Sequence, residues 1–410
     1  MFKLDLIQTT AFAGVLLFAG YGIRRLIPLL GRYNLPAPVI GGLAFSALNL
    51  ILRTSGITLF VFDTTLQTPL MIAFFTSIGF GASLSLLKKG GPQVMIFFII
   101  STIVAVLQNL LGIITAPIFG LHPLFGVLTG SVTLTGGPAT GLAFAPIFEQ
   151  SGVTSAASVA IASAMVGIVS GGLIGGPIGT YIIERNKLRS PLSKLNHHDI
   201  PIATEIVEDQ LGEQPTEIPQ GEDKESYTIL KSIVVIFLAM WSGSWVSSWF
   251  VSLGITLPAY IGAMLIASIF RNFDDRTKLL SLSQKTIDDL SSVALSLFIT
   301  MALMTLKLWE LVALALPMII MLLFQVILIA VICIWIIHKV MGKDYDAAVM
   351  SSGFCGFMLG TTANAMANME ALAEKYGQAP RAFLVVPMVG AFFIDFTNAV
   401  IITVFVNMWK

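Results

Sequence analysis

Long apolar runs separated by short polar turns dominate this chain. A run of about 20 apolar residues predicts a helix that crosses a bilayer, because a helix of that length spans the hydrocarbon core. A membrane barrel would instead alternate apolar and polar residues at every second position. The predicted segments are 9–29, 36–52, 66–87, 93–120, 124–149 and 156–183 before a polar stretch in mid-chain, and 228–253, 256–270, 290–308, 312–340, 345–372 and 381–408 after it.

The polar stretch in mid-chain, 184–226, has a different composition. It carries ten acidic and five basic residues, few aromatic residues, and the prolines Pro191, Pro201, Pro215 and Pro219. A segment with few apolar residues and many charges does not bury enough surface to fold. We expect a solvated, flexible linker, with a small amphipathic surface helix inside it as the alternative.

Short motifs recur in the two halves at a nearly constant spacing. Leu35-Pro36-Ala37 returns as Leu257-Pro258-Ala259. Met165-Val166-Gly167 returns as Met388-Val389-Gly390, and its offset agrees with that of the first motif to within one position. Either match alone is weak, but the shared order and offset predict an internal duplication.

Two of the apolar segments contain stretches rich in Gly, Ser and Thr, which loosen or break a helix. These stretches are 133–141 and 351–364, in the fifth segment of each half. Backbone that leaves a helix at membrane depth must be buried in protein or line a watery cavity. Breaks at corresponding places in two halves point to the binding site of a transporter. The alternative is close packing of helices through small residues.

The distribution of Lys and Arg separates two topologies, because these residues accumulate on the cytoplasmic side. If all twelve segments cross, the two sides hold 15 and 8 of the 23 basic residues; if the segments with breaks are re-entrant hairpins, they hold 19 and 4. The hairpin topology has five crossings in each half, which inverts the second half, places both termini outside and places the linker in the cytoplasm. The predicted units are 1–183, a first repeat with its hairpin near 124–149; 184–226, the linker; and 227–410, a second repeat with its hairpin near 345–372.

The composition fits a membrane protein and disfavours several other classes. The chain is 56% hydrophobic and 11% charged, whereas soluble domains carry about 25% charged residues. A net charge of zero gives no reason to expect nucleic-acid binding. The two cysteines, Cys333 and Cys355, lie in apolar surroundings, which disfavours a disulfide or a thiolate metal site. Since the sequence has no His-rich metal spacing and no nucleophile triad, we expect neither an enzyme nor a cofactor.

Asp395 is the most unusual charge in the sequence, because it lies inside the last apolar segment. A bare carboxylate in hydrocarbon is costly, and no Lys or Arg lies at comparable depth in the same segment. A bound cation is therefore the natural partner, with a structural hydrogen bond to hairpin backbone as the alternative. Asn398, three residues further on, shares its helix face. With Ser131 and Asn368 from the hairpin segments 124–149 and 345–372, these residues are the candidate cation ligands.

The two breaks supply residues on which a small anion could bind. Glycine lets backbone approach a ligand closely, and the N-termini of broken helices suit a carboxylate. The C-terminal ends and unwound carbonyls suit a small cation. The candidate substrate-binding residues are Thr133, Thr135, Gly136, Gly137, Thr140, Gly360, Thr361, Thr362 and Asn364.

Four further polar residues have two interpretations each. Gln108, Asn109 and Gln325 lie in the fourth segment of a half, where they either line the path or form hydrogen bonds between helices. Arg381 begins the last segment on the cytoplasmic side. It either meets a substrate carboxylate from that side or anchors the helix at the membrane surface, and anchoring is favoured.

Several longer motifs of the chain carry a resemblance. They are DTTLQTPLMIAFFTSIG at 63–79, GSVTLTGG at 130–137, LSLF at 295–298, ALM at 302–304, LKLWEL at 306–311, MGKDYDAAV at 341–349 and FLVVPMVGAFFID at 383–395. In these motifs the chain resembles the bacterial sodium/glutamate symporter family over nearly its whole length, the linker excepted. One departure is Pro138, which follows Gly137 and removes an N–H donor.

The resemblance implies uptake of L-glutamate driven by the sodium gradient across the bacterial inner membrane. It also implies an all-α polytopic fold of two inverted five-helix repeats with re-entrant loops, a homodimer in the lipid membrane, and elevator-like movement of a transport domain against a scaffold. The termini would then be periplasmic, the candidate anion site would bind glutamate, and sodium would be the coupling ion. The alternatives are a sodium symporter for another small carboxylate such as citrate, and a cation-gated channel.

Overall fold

The fold is almost entirely helical. The computed structural model describes residues 2–54, 60–85, 91–190, 224–255, 257–258 and 260–409. Most of the predicted linker, 191–223, lies outside the described residues.

The helix bounds follow the predicted segments closely. In the first half the helices are α1 (Leu6–Leu26), α2 (Pro28–Arg32), α3 (Ala37–Thr54), α4 (Gln67–Gly81), α5 (Gly91–Thr115), α6 (Pro123–Val127), α7 (Gly137–Gln150) and α8 (Ala156–Arg185). In the second half they are α9 (Lys224–Ser252), α10 (Tyr260–Thr277), α11 (Gln284–Met304), α12 (Ala315–Ile332), α13 (His338–Val340), α14 (Tyr345–Leu359), α15 (Thr362–Tyr376), α16 (Pro380–Met388) and α17 (Ile394–Trp409). Short 3-10 turns at Ala116–Phe119 and Leu308–Leu314 and π turns at Leu128–Val132, Cys333–Ile337 and Val389–Phe393 extend or join them.

Six of the described helical stretches are long and apolar enough to cross a membrane. They are Leu6–Leu26, Gly91–Phe119, Ala156–Arg185, Glu225–Ser252, Gln284–Met304 and Ala315–Val340. Shorter apolar helices occur at Ala37–Arg53, Pro123–Val132 and Ile394–Trp409. The prediction of an all-α polytopic membrane protein is therefore confirmed at the level of fold class.

A small sheet joins the residues before α1 to those after α3. The strands β1 (Phe2–Leu4) and β2 (Phe60–Phe62) pair in parallel, with Phe2 opposite Phe60. The sequence pattern does not predict them, because three residues are too few to show alternation. Asp5 follows β1 directly and caps α1, since its carboxylate accepts the Gln8 N–H at 2.8 Å.

The helix bounds recur with the spacing of the short motifs. Helix α3 runs from Ala37 to Thr54 and α10 from Tyr260 to Thr277, so both bounds shift by the same amount. Helix α8 runs from Ala156 to Arg185, and the segment formed by α16 and α17 runs from Pro380 to Trp409, again with equal shifts at both ends. The shifts of the two pairs agree to within one position. The nearly constant spacing of the short motifs thus extends to the bounds of whole helices.

The helices pack in two groups. The frame group contains α1, α3, α4, α9, α10 and α11, in which α4 packs on α10 and α11, and α1 packs on α3. The break group contains α5 to α8 and α12 to α17, in which α8 packs on α7, α14 and α15. The groups meet where α4 contacts the turn Val389–Phe393 and where α11 contacts α7.

Candidate functional site

The first break separates α6 from α7. Helical backbone stops at Gly130, whose φ and ψ are −98° and −130°, and α7 begins at Gly137 with a φ of +68°. A positive φ favours glycine, which explains why a glycine is needed there. Pro138 lies in the first turn of α7, where an N–H would have no partner within the helix. The Gly-Pro sequence therefore fits the break without loss of a helical hydrogen bond.

The second break separates α14 from α15. The chain leaves the helix at Gly360, and Thr361 caps α15 by accepting the Asn364 N–H at 3.3 Å. The two helices pack against each other. The Tyr345 hydroxyl at the start of α14 donates to the carbonyls of Leu372 and Gly377 at the end of α15. This segment is thus a helical hairpin whose two ends lie side by side.

The two breaks lie next to each other. A Cβ built on Gly137 would lie 3.8 Å from the carbonyl oxygen of Gly360. Gln108 of α5 links the breaks, because its Oε1 accepts the Thr135 hydroxyl at 2.7 Å and its Nε2 donates to the Met358 carbonyl at 2.9 Å. Gln108 therefore forms hydrogen bonds between helices, one of its two interpretations from sequence.

A cluster of unpaired polar groups lies beside the first break. Asn109 Oδ1 accepts the Ser131 N–H at 3.0 Å, and Asn398 Nδ2 donates to the Ser131 carbonyl at 2.9 Å. Asn109 Nδ2, Ser131 Oγ and Asn398 Oδ1 are buried and have no hydrogen-bond partner within the described chain. Buried unpaired polar atoms are costly, so this cluster is suited to a polar ligand, an ion or water.

The second hairpin is bonded to α8 through main-chain carbonyls. Asn364 donates to the Ile168 carbonyl at 2.7 Å, and Asn368 donates to the Gly171 carbonyl at 3.0 Å. Ser352 donates to the Gly175 carbonyl at 2.8 Å. Small residues allow this approach, since a Cβ on Gly175 would lie 2.0 Å from the Asn368 amide nitrogen. Each half thus contributes a last segment that holds the break of the other half, α8 for the second break and α17, through Asn398, for the first.

Asp395 lies in a different environment from Ser131 and Asn398. It lines a cavity of about 190 Å³, together with Phe74, Ser77 and Ile78 of α4 and Asp288, Ser291 and Ser292 of α11. Among the described residues, no Lys or Arg forms an ion pair with Asp395. Carboxylate and hydroxyl oxygens are the ligands that hard cations prefer. The cavity lies where the frame group meets the break group.

Of the predicted substrate-binding residues, Gly137 of the first break lies beside Gly360 of the second. Thr133 donates to the Leu128 carbonyl at 2.8 Å, Thr140 packs against Gly136, and Thr362 lies beside Gly390. The four candidate cation ligands do not meet at one point, because Asp395 faces α4 and α11 while Asn368 faces α8. Sequence reasoning missed Asp288 and Ser291 as lining residues of this cavity. An acid near a helix end, such as Asp288, resembles a solvated residue.

Arg381 is anchored at the start of the second hairpin. Its guanidinium forms an ion pair with Asp344 at 2.5 Å, and its N–H donates to Asp346 Oδ1 at 3.0 Å. The ion pair is partly exposed, with 33% of the Arg381 side chain and 50% of the Asp344 side chain accessible. The side chain and the N–H of Arg381 are thus both bound to acidic residues at the start of the second hairpin.

Comparisons with known proteins give one consistent result. The family model described as "Sodium/glutamate symporter" matches residues 2–378. The protein named "Sodium/glutamate symporter" of Escherichia coli (strain K12) is 39% identical over 409 residues, which is 100% of this chain and 99% of that protein. The protein of the same name from Haemophilus influenzae is 38% identical over 398 residues, which is 97% of this chain and 96% of that protein.

Proposed function

The chain belongs to the sodium/glutamate symporter family, and on this premise we propose that its two adjacent breaks form the site of sodium-coupled glutamate import. The protein is a sodium-driven transporter of glutamate and not an enzyme, and sodium serves as its coupling ion. It is a multi-pass protein of the bacterial inner membrane. The observation that carries the proposed site is the meeting of Gly137 with Gly360.

Glutamate would bind between the breaks. The N-terminal end of α15, at Thr361, Thr362 and Asn364, presents N–H groups of a helix start, which attract a carboxylate. From the first break, Thr133 to Gly137 and Thr140 would contribute hydroxyls and main-chain groups. Gly360 leaves room for close approach of the ligand to the backbone.

Sodium would neutralise Asp395. Asn398 lies one turn further along α17 and connects it to Ser131 of the first break. Asn368 would play the equivalent part at the second break, where it joins α15 to α8. Sodium at Asp395 would thereby be linked through Asn398 to the first break.

The two packing groups support an elevator-like mechanism. In this proposal the break group is the transport domain and the frame group is the scaffold. The cavity at Asp395 lies at their contact, so a charged and unpaired carboxylate would have to move along the scaffold when sodium is absent. A ligand shifts an equilibrium only by its different affinity for the two states, and neutralisation of Asp395 supplies that difference.

The topology is part of the same proposal. The nearly equal offsets of α3 to α10 and of α8 to the last segment support two repeats, 1–183 and 227–410. Five crossings in each half would place both termini in the periplasm and the linker, 184–226, in the cytoplasm. The breaks near 124–149 and 345–372 would then enter as re-entrant hairpins from opposite sides. A homodimer would bring the frame groups together.

Uptake by the purified protein in proteoliposomes tests the function. We expect an inward sodium gradient to accumulate labelled glutamate above its external concentration, and removal of the gradient to abolish accumulation. Passive equilibration that stops at equal concentrations would indicate a cation-gated channel. Stronger competition by citrate than by unlabelled glutamate would indicate a symporter for another carboxylate.

Substitution of Arg381 separates anchoring from substrate binding. We expect Arg381→Gln to leave the KM for glutamate within about twofold of wild type and to lower stability by no more than about 1 kcal/mol, because the ion pair is partly exposed. The matched variant is Asp344→Asn, which removes the same pair and keeps a capping side chain for α14. Thermal unfolding and uptake kinetics measure both effects. A tenfold rise in KM confined to Arg381→Gln would instead assign Arg381 to the substrate.

A further inference from the structure

Neither the family match nor the proposed ligand contacts give a role to Gln108, although it lies between the two breaks. Its side chain is fully buried in α5. The carbonyl side of its amide accepts from Thr135 in the first break, and the NH₂ side donates to Met358, two residues before Gly360 in the second break. The two ends of one amide are thus used on two different breaks.

The direct contact between the two breaks is weaker than the pair of hydrogen bonds that Gln108 makes to them. Among the described residues, the direct polar contact between them is the Thr135 hydroxyl with the Met358 sulfur, at 4.0 Å. Sulfur is a weak acceptor, whereas the bonds through Gln108 are 2.7 Å and 2.9 Å long. The amide of Gln108 therefore determines the spacing of the breaks more than their own contact does.

The backbone that carries Gln108 is itself held in place. Gln325 of α12 donates to the Gln108 main-chain carbonyl at 2.7 Å, and Asn109 accepts from Ser131. One turn further, Gly112 packs so closely on α6 that a Cβ there would lie 2.0 Å from the Gly126 carbonyl oxygen. Because the backbone of Gln108 is held by these contacts, its side-chain amide keeps Thr135 and Met358 at a defined distance from each other.

We propose that Gln108 is a positioning residue for transport, whose amide holds the two breaks at the spacing required to bind sodium and glutamate. It acts through Thr135 and Met358 and does not touch the substrate. The inference rests on the proposed function, since it assumes that the ligands bind between the breaks. Only a side chain with both an acceptor and a donor at this length makes both bonds. Met has neither group and would make neither bond.

The test is the uptake kinetics of Gln108→Met in proteoliposomes. Loss of the bridge lowers the fraction of molecules with the correct spacing, which weakens apparent affinity in proportion. We expect the KM for glutamate and the half-saturating sodium concentration to rise about tenfold, the scale of a lost buried hydrogen bond. Turnover at saturating sodium and glutamate should stay within about threefold, because the ligands restore the spacing.

The matched control is Gln325→Met. Gln325 is a buried glutamine that bonds the main chain of Gln108 and contacts neither break through its described hydrogen bond. We expect its KM values to stay within about twofold of wild type, because the Gln108 side chain keeps both of its bonds and its backbone remains held within α5 and by the packing of Gly112 on α6. Equal KM shifts in Gln325→Met and Gln108→Met would overturn the proposal in favour of general packing, as would unchanged KM values in a folded Gln108→Met.

Two further measurements keep the outcome interpretable. If Gln108→Met does not yield folded protein, Gln108→Asn replaces it, because this variant keeps a polar amide and loses the reach to both partners. It should raise both KM values in the same way, and unchanged values would reject the proposal. Wild-type protein in the same vesicles tests the proposed function separately, since absence of sodium-driven glutamate accumulation there would contradict that function whatever the variants do.

Discussion

Replacement of Asp395 by Asn is expected to reduce sodium-driven glutamate uptake by about a hundredfold, the scale of a lost contact with a charged group. Asp395 faces a cavity whose other polar lining residues are Asp288 and the serines Ser77, Ser291 and Ser292. None of these side chains carries a positive charge, so the charge of Asp395 is left for a cation to neutralise. Asn has nearly the same shape and no charge, which isolates the electrostatic role.

The sodium dependence of uptake and the rate of exchange distinguish ion binding at Asp395 from a structural role. If sodium binds at Asp395, the variant should lose the sodium dependence of uptake as well as its rate. Exchange of glutamate across the membrane without a gradient should fall less, because exchange requires movement of the loaded protein only, and a neutral side chain at position 395 leaves no charge to move. Initial rates of labelled glutamate uptake at several sodium concentrations, together with exchange rates, measure both quantities.

Asp289→Asn is the matched control for this substitution. Asp289 is exposed, follows Asp288 directly in α11, and does not line the cavity. Its removal changes the net charge by the same amount and should leave uptake within about twofold, as expected for a surface position. Unchanged sodium dependence in Asp395→Asn would remove Asp395 from the ion site and leave the cavity as a packing defect between the two groups.

The breaks could be located from sequence because their chemistry is local. A helix cannot continue through the stretch that ends in Gly137 with a positive φ, and Thr361 is a preferred residue for a helix start. The bounds of the apolar segments could be predicted as well, because the length of an apolar run is also a local property of the sequence. The predicted 345–372 corresponds to α14 and α15, which end at Tyr376.

The surroundings of Asp395 could not be predicted from sequence. Helical spacing places Asp395 and Asn398 on one face, but a π turn at Val389–Phe393 precedes them and changes the helical register relative to α16. Pro387, inside α16, lacks the N–H that a regular helix needs. Which neighbours a face meets depends on contacts with α4 and α11, which are distant in the sequence.

The sequence left two roles open for Gln108, because its hydrogen-bond partners are also distant in the sequence. A glutamine in an apolar segment can bond within the protein or bind a solute, and its own sequence neighbourhood is the same in both cases. Its partners Thr135 and Met358 lie 27 and 250 residues away. The identity of a long-range partner is set by packing of whole helices, on which the local pattern carries no information.

Addition of a single methyl group at Gly167 is expected to disrupt the second break. A Cβ at Gly167 would lie 2.3 Å from the carbonyl oxygen of Leu359, the residue before Gly360, and 2.6 Å from a methyl carbon of Leu134. One of these contacts is with backbone, which cannot rotate away. Overpacking of this kind costs about 1–3 kcal/mol, so we expect Gly167→Ala to lower uptake at subsaturating glutamate by about tenfold or more.

Two other glycines of α8 give a graded control for this prediction. A Cβ at Gly171 would lie 3.2 Å from the Leu359 Cβ, and one at Gly176 would have no atom within 4 Å among the described neighbours. Gly176→Ala should therefore be neutral or stabilising by up to about 1 kcal/mol, because alanine favours a helix. Since all three variants change helix propensity equally, their differences report contacts with Leu359 of the second hairpin and, for Gly167, also with Leu134 of the first break. Thermal unfolding and uptake should rank Gly176→Ala above Gly171→Ala and both above Gly167→Ala, and equal values for all three would mean that α8 and the second hairpin do not pack together in the membrane.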